Sequence, residues 1–309
     1  MQNRQITIAE LPTGTLGPEH FTLGETAKPE PNKGEVLLRV ILMSTYAICE
    51  VIDANGTHLS NGDIVASEAT WSEYVTAKAR KVQPLPKVAT LSHLMSVYGI
   101  AGKTAFHGLM SIGNPMAGET VLVSAAAGSV GGYVGQIAKA LGCRVVGIAG
   151  GPDKCKWVVD ELGFDACVDY HEAGLSRALA AACPDGADIY FDNVGGKVLE
   201  SSLNVMNEKG RVICCGAISQ YDTENPTGPR NLPGVIVVKR LKMEGFIVMD
   251  FAHNDAKCVR AMQHWVGTGQ IKVIEDIVDG LENAPKALIG LLNGDNKGKR
   301  LVRVAADPK

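Results

Sequence analysis

Hydrophobic patterning is clearest between Glu119 and Gly151, ETVLVSAAAGSVGGYVGQIAKALGCRVVGIAGG. Thr120 to Ser124 is a short apolar, β-branched run of the length of a buried parallel strand. Tyr133 to Leu141 follows as an apolar-rich helix closed by Gly142, and Cys143 to Ile148 is a second strand. Beyond it the pattern keeps alternating, which predicts a parallel sheet. Helix 153–162 leads to strand Ala166–Tyr170, helix 174–182 to strand Ala187–Asp192, and helix 196–206 to strand Arg211–Ala217. Leu232–Arg240 reads as a helix, Met243–Val248 as a strand and Phe251–Gly267, with Trp265, as another helix. Ile271–Ile277 is then a strand, Ala284–Leu292 the last helix and Lys299–Val304 a terminal strand.

Ahead of this region the period is two. Thr7–Glu10, Phe21–Glu25, Val36–Leu42, Ala47–Asp53, Asp63–Ala66 and Trp71–Thr76 are short strand candidates separated by Pro, Gly and Asn turns. Such a run predicts a compact barrel-like unit. From Leu91 the period changes, and 91–113 is helical in pattern, interrupted by Gly99 and Gly102. The resulting domains are 1–91, 92–270 and 271–309, the last returning with its terminal strand to the N-terminal β unit.

The turn inside the first βαβ unit carries the leading chemistry. Ala126, Gly128 and Gly131 occupy the three glycine positions of G-x-G-x-x-G, with alanine in the first. A tight βα turn without a ligand can carry the same glycines. Here the match follows a strand, opens a helix and precedes a second strand, which is the context of a dinucleotide site. Glycines there bring backbone N–H groups close to a pyrophosphate at the positive end of a helix. A site for NAD usually has Asp or Glu at the end of the second strand, for the ribose 2′-hydroxyl. This chain has Ala149, Gly150 and Gly151, then Lys154. Small residues beside a cation leave room for a 2′-phosphate and neutralise it, so NADPH is the expected cofactor. A solvated lysine on a helix's first turn is the plain alternative for Lys154.

Ligands in such sheets bind at the carboxyl ends of the strands. Those ends are Asp192-Asn193-Val194-Gly195-Gly196 and Cys215-Gly216-Ala217-Ile218-Ser219-Gln220-Tyr221. Asn193 offers an amide to ribose or nicotinamide and Gly216 a close backbone approach, although cap and turn residues look the same. Tyr221 can donate a hydrogen bond to a developing oxyanion, or be an exposed loop tyrosine. Asp188 and Asp192 share a strand face, as ordinary strand ends also do. Tyr98, Lys103 and His107 read as structural, and no Ser-His-Asp, Cys-His or paired-carboxylate arrangement is readable.

Composition narrows the class. The chain has 309 residues, 46% hydrophobic and 20% charged, with a net charge of −3, which offers nucleic acid or an anionic membrane no electrostatic attraction. No apolar run has the length of a membrane span, and MQNRQITIAELPTG lacks the apolar core of a signal peptide. A cytosolic protein is expected. The eight cysteines form no CxxC pair and the seven histidines no HExxH, so reduced core thiols and no metal site are expected.

Five blocks then carry a specific resemblance: SAAAGSVGGYVGQIAKALGCRVVGIAGGPDKC, DIYFDNVGGKV, GRVICCGAISQYD, MEGFIVMDF and DGLENAPKALIGLLNGDNKGKRLVRV. GIAGKTAFHGL (99–109) resembles the helix ahead of the cofactor domain. The chain resembles the zinc-independent medium-chain dehydrogenases/reductases, in the branch of prostaglandin reductases, alkenal double-bond reductases and bacterial curcumin reductases. The likeness is close over about 91–309 and looser over 1–42. It implies an α/β fold, a Rossmann doubly wound parallel sheet plus a GroES-like β-barrel domain built from both chain ends, in a homodimer.

The resemblance assigns Gly128, Ser129, Val130 and Gly131 to the pyrophosphate turn, and Lys154 and Tyr170 to the 2′-phosphate. Asn193 and Cys215, Gly216, Ala217, Ile218, Ser219 and Tyr221 match cofactor-side positions. Phe246, Ile247 and Val248 match the segment beside the nicotinamide, and Asn296 lies in the closing GxNxGK motif. The implied activity is NADPH-dependent reduction of the C=C bond of α,β-unsaturated ketones. Hydride goes to the β-carbon, Tyr221 stabilises the enolate, and protonation follows. A quinone reductase is the alternative within the class, and a non-catalytic NADPH-binding protein the alternative outside it. One departure stands out. Where family members follow the strand matching Val36–Leu42 with a segment like LSLDPYMRGRM and a loop, Leu42-Met43-Ser44 runs straight into Thr45-Tyr46-Ala47. Roughly thirty residues are absent by comparison of the flanking strands, including, as the resemblance implies, a loop and a tyrosine over the substrate pocket.

Overall fold

The computed structural model describes residues 2–221 and 225–308. They divide into two compact units, 1–95 with 275–309, and 96–274. Each boundary lies slightly beyond the 91/92 and 270/271 that the pattern alone indicates.

The first unit opens with β1 (Gln2–Ile8) and β2 (Phe21–Ala27), an antiparallel hairpin. β1 begins earlier than Thr7, because its inward positions include the polar Asn3, which carries no hydrophobic signal. Asn3 is buried, donates to Tyr74 O at 3.1 Å and accepts from Tyr74 N at 2.9 Å. β3 (Glu35–Met43), β4 (Ala47–Asp53), β5 (Ile64–Ser67), β6 (Tyr74–Lys78) and β7 (Gln83–Pro84) follow. β3 is almost continuously apolar and buried. Its one charged residue past Glu35, Arg39, faces Glu50 on β4 and donates to it from Nη2 at 2.6 Å.

At the junction where relatives are expected to carry extra residues, β3 and β4 close directly. Met43 pairs with Ala47, and Ser44 N donates to Tyr46 O at 2.9 Å. The Tyr46 hydroxyl donates to Leu94 O at 2.9 Å, and burial pushes its pKa up to about 12.

In the second unit, 91–113 proves not to be one helix. Leu91–Leu94 is a 3₁₀ turn before the boundary, and α1 (Ile100–His107) runs into a π-helical segment, Gly108–Gly113. The β8 (Thr120–Ser124), α2 (Ser129–Ala140), β9 (Arg144–Ala149) unit is the predicted βαβ. Then come α3 (Pro152–Leu162), β10 (Ala166–Asp169), α4 (Leu175–Ala182), β11 (Ala187–Asp192), α5 (Gly196–Val205) and β12 (Met206–Cys214). α6 (Leu232–Lys239), β13 (Lys242–Gly245) and α7 (Asp255–Gly267) complete it. Strand β13 is shorter than Met243–Val248, and Val248–Asn254 forms a 3₁₀ turn where a helix is expected from Phe251.

All pairs in this sheet are parallel, in the order β10-β9-β8-β11-β12-β13. Two residues of the expected strand Ile271–Ile277, Ile271 and Ile274, pack into this unit's core. The strand therefore starts later, as β14 (Glu275–Asp279), back in the first unit. α8 (Ala284–Leu292) and β15 (Lys299–Arg303) follow. β15 pairs parallel with β14 and antiparallel with β3, giving the order β14-β15-β3-β4-β5-β7 with β6 on β3. The fold is a Rossmann unit and a GroES-like β unit made from both chain ends.

Candidate functional site

The sheet order reverses between β8 and β11, and the crevice beyond their carboxyl ends is where an open parallel sheet takes a ligand. β8 ends at Ser124, and Ala125 turns the chain with φ +49°, a left-handed conformation unusual for alanine. Gly128 N donates to Ala125 O at 2.9 Å. A Cβ on Gly131 would lie 2.4 Å from Ala125 O, so only glycine fits there. Gly128 is the N-cap of α2 and supplies no side-chain cap. Gly128, Ser129 and Val130 are half-buried and Gly131 is buried. The opening N–H groups of α2 thus lack a side-chain partner, the arrangement that receives an anion.

Ala149, Gly150 and Gly151 end β9, and Lys154 lies in the first turn of α3, half-buried. Tyr170, at the end of adjacent β10, comes so close that a Cβ on Gly150 would lie 3.0 Å from its hydroxyl. The structure therefore brings the Tyr170 phenol onto the β9 end from which α3 and Lys154 depart. Asp169, which sequence reasoning did not single out, accepts the N–H groups of Gly151 and His171 at 2.9 Å on Oδ1. Burial alone would raise its pKa, but these donors more than offset that and hold it below the usual carboxylate value.

Across the reversal, the buried Asp192 is a hub. Its Oδ1 accepts from the Tyr190 hydroxyl at 2.7 Å, Gly195 N at 2.9 Å and Val194 N at 3.0 Å. Ser124 Oγ lies 3.3 Å from the same oxygen and accepts Asn193 N at 2.9 Å. Asn193 Nδ2 donates to Ser124 O at 2.7 Å. Cys215 N and Gly216 N both donate to Asp192 O. Sequence reasoning missed Ser124 and Tyr190. The i,i+2 spacing of Tyr190 and Asp192, which places both on one strand face, was the available signal.

Ser219 Oγ donates to Val194 O at 2.7 Å, which ties the loop after β12 to the one after β11. Ile218 and Tyr221 are exposed, and Cys215, Gly216 and Ala217 are half-buried. Burial, with the Asp192 carboxylate adding to it, pushes the Cys215 thiol up to about 12, so this cysteine is a poor nucleophile. The Tyr221 hydroxyl accepts Ala217 N at 3.0 Å, and its own hydrogen is uncommitted among the described residues. Residues 222–224 of this loop lie outside the described residues.

Past β13, Phe246 packs edge-on to Phe191 at 6.4 Å and to Phe251 at 6.1 Å. Ile247 is exposed and Val248 half-buried. Phe251 stacks on His107, whose Nε2 lies 3.4 Å from Asp255 Oδ1, and Lys103 Nζ is 2.5 Å from Asp255 Oδ2. Asn296 belongs to the first unit, where its amide donates to Gly298 O at 2.8 Å. Among the described residues no group of three or more His, Cys, Asp or Glu side chains could hold a metal ion, and no helix is long and apolar enough to cross a membrane.

A family model described as "Zinc-binding dehydrogenase" matches residues 129–264. The chain is 39% identical to NADPH-dependent curcumin reductase of Escherichia coli (strain K12), covering 99% of this chain and 98% of that protein. That alignment spans 340 positions against 309 residues here, so the relative carries residues without a counterpart in this chain. Prostaglandin reductase 1 of Bos taurus is 38% identical over 92% of this chain and 93% of its own. The crystal structure of CurA in complex with NADPH from Vibrio vulnificus matches with a TM-score of 0.90 and 37% identity, covering 98% of this chain and 100% of that one. Full-length identity at this level, on a matching two-unit fold, makes the chain an oxidoreductase of the medium-chain dehydrogenase/reductase family, in the branch of the curcumin and prostaglandin reductases.

Proposed function

We propose that the protein uses NADPH to reduce the C=C double bond of α,β-unsaturated ketones of the curcumin type. The observation that carries the reading is the turn at the start of α2. Its glycines admit no Cβ at Gly131, and its N–H groups have no side-chain cap. Gly128, Ser129, Val130 and Gly131 would hold the pyrophosphate. Lys154 and Tyr170, beside a β9 end without a carboxylate of its own, would take the 2′-phosphate. Asn193, the 215–219 loop and 246–248 would border the rest of the cofactor. When bound, NADPH supplies a hydride to the substrate's β-carbon. Tyr221 is the residue we assign to the enolate oxygen, because its hydrogen is uncommitted among the described residues while Ala217 N fixes its oxygen.

The test is NADPH consumption against a panel of enones, including curcumin and medium-chain enals, with a simple quinone beside them. Reduction of the enones ahead of the quinone is expected, and the reverse order would replace this reading with a quinone reductase. The direct β3–β4 closure favours one further reading, a protein that binds NADPH without turnover. Saturable NADPH binding with no enone consumed would select it.

The proposed partner besides the small molecule is a second copy. β13 is an edge strand, and α6, which packs on β12, is apolar except for Lys239 and has no buried residue. Antiparallel pairing of two β13 edges about Met243 sets Lys242 of each copy against Glu244 of the other.

A further inference from the structure

The three loops at the candidate site come from distant parts of the chain, and each is a loop because the strand before it ends there. Something must fix their mutual register. The hydrogen bonds that do so converge on two buried residues, Ser124 and Asp192, through both side chain and main chain. Ser124 sits at the last position of β8, immediately before the left-handed Ala125. Its Oγ receives Asn193 N, and its carbonyl receives the Asn193 amide. Asp192 gathers the N–H groups of Val194 and Gly195 on one carboxylate oxygen, while its carbonyl takes those of Cys215 and Gly216. The Tyr190 hydroxyl, itself fully buried, holds that carboxylate from below.

We infer that Ser124 and Asp192 are positioning residues for the cofactor site, bracing the α2 turn against the loops after β11 and β12. The inference rests on the NADPH reading above and adds to it a role for side chains that touch no cofactor. It also reassigns part of Asn193. One hydrogen of its amide is spent on Ser124 O, so the residue acts partly as the brace's own crosspiece. A buried carboxylate would otherwise be costly, but here it accepts the Tyr190 hydroxyl and the Val194 and Gly195 N–H groups, and the latter two belong to the loop whose placement the site needs. The brace flanks the pyrophosphate turn, which NADPH and NADH share, and lies off the Lys154 and Tyr170 end, where they differ. Loss of the brace must therefore weaken both cofactors alike.

The experiment titrates wild type, Ser124→Ala and Asp192→Asn with NADPH and with NADH, following cofactor fluorescence, and reads kcat at saturating NADPH with circular dichroism as the folding control. Ser124→Ala is expected to raise both dissociation constants by the same factor, about tenfold, with kcat within about twofold of wild type. Asp192→Asn keeps an acceptor oxygen for Val194 and Gly195, so a smaller, equally shared loss is expected. Wild-type affinity in a folded Ser124→Ala, or a loss confined to NADPH, overturns the inference. Should Ser124→Ala not fold, Asp192→Asn decides by the same reading, and unchanged affinity in it overturns the brace. Absence of saturable NADPH binding by wild type would instead overturn the functional reading beneath it.

Discussion

Two single substitutions separate cofactor recognition from chemistry. Lys154→Ala removes the cation expected at the 2′-phosphate and should weaken NADPH about tenfold while leaving NADH nearly unchanged. Equal losses for both would remove Lys154 from that role. Tyr221→Phe deletes only a hydroxyl, 67% of the residue being exposed. Turnover should fall about 10²-fold with little change in NADPH affinity, and unchanged turnover would reject the oxyanion assignment. His107 allows a test by pH instead. Burial, outweighing the nearby Asp255 carboxylate, holds its pKa below 6.5. A depressed folded value means that the unfolded chain binds the extra proton first. Stability is therefore present above the unfolded pKa and is lost as pH falls from about 6.5 toward the folded value. Urea midpoints at pH 7.5 and 5.5 should differ more for wild type than for His107→Phe. Parallel curves would mean that another group titrates in this window.

At the scale of elements, the α2 turn is a demanding piece of backbone at the candidate site. The Ala125 carbonyl lies where a side chain on Gly131 would go, and the obstacle is backbone, which cannot swing aside as a side-chain end can. Gly131→Ala should cost about 1–3 kcal/mol of stability and weaken both cofactors, read from a urea midpoint and a titration on the same preparation. Full retention of both would show that the turn relaxes freely. Much of this region is legible from pattern alone. β8 and β11 coincide with the expected Thr120–Ser124 and Ala187–Asp192, because buried parallel strands between glycine turns carry an unbroken apolar signal. β1 and β14 are less legible. β1 buries a polar Asn3, and the apolar run before β14 gives Ile271 and Ile274 to a different core.

For the whole molecule, the exposed edge at β13 makes the clearest prediction. If two copies pair there, Glu244→Lys sets like charges opposite each other twice, at roughly 0.2–1 kcal/mol for each pair. Sedimentation should show dissociation toward monomer, and adding Lys242→Glu should restore the dimer by exchanging the charges. A dimer that ignores both changes uses another surface. The Lys242–Glu244 ion pair present within one strand shows that the two side chains share a face and can exchange partners.

The chain's own order of residues determined the βαβ unit, its glycine turn, the missing acid after β9 and the resemblance to reductases, because these depend on local period and on a few residues at fixed spacing. Only tertiary structure decided which strand ends meet. The adjacency of β8 and β11 turns Ser124 and Asp192, distant in sequence, into one buried hydrogen-bonded brace. It also engages the Asn193 amide, which local reading offers to a ligand, with the neighbouring strand end. A hydrogen bond between remote segments leaves no trace in hydrophobic period, so only the folded chain could show it.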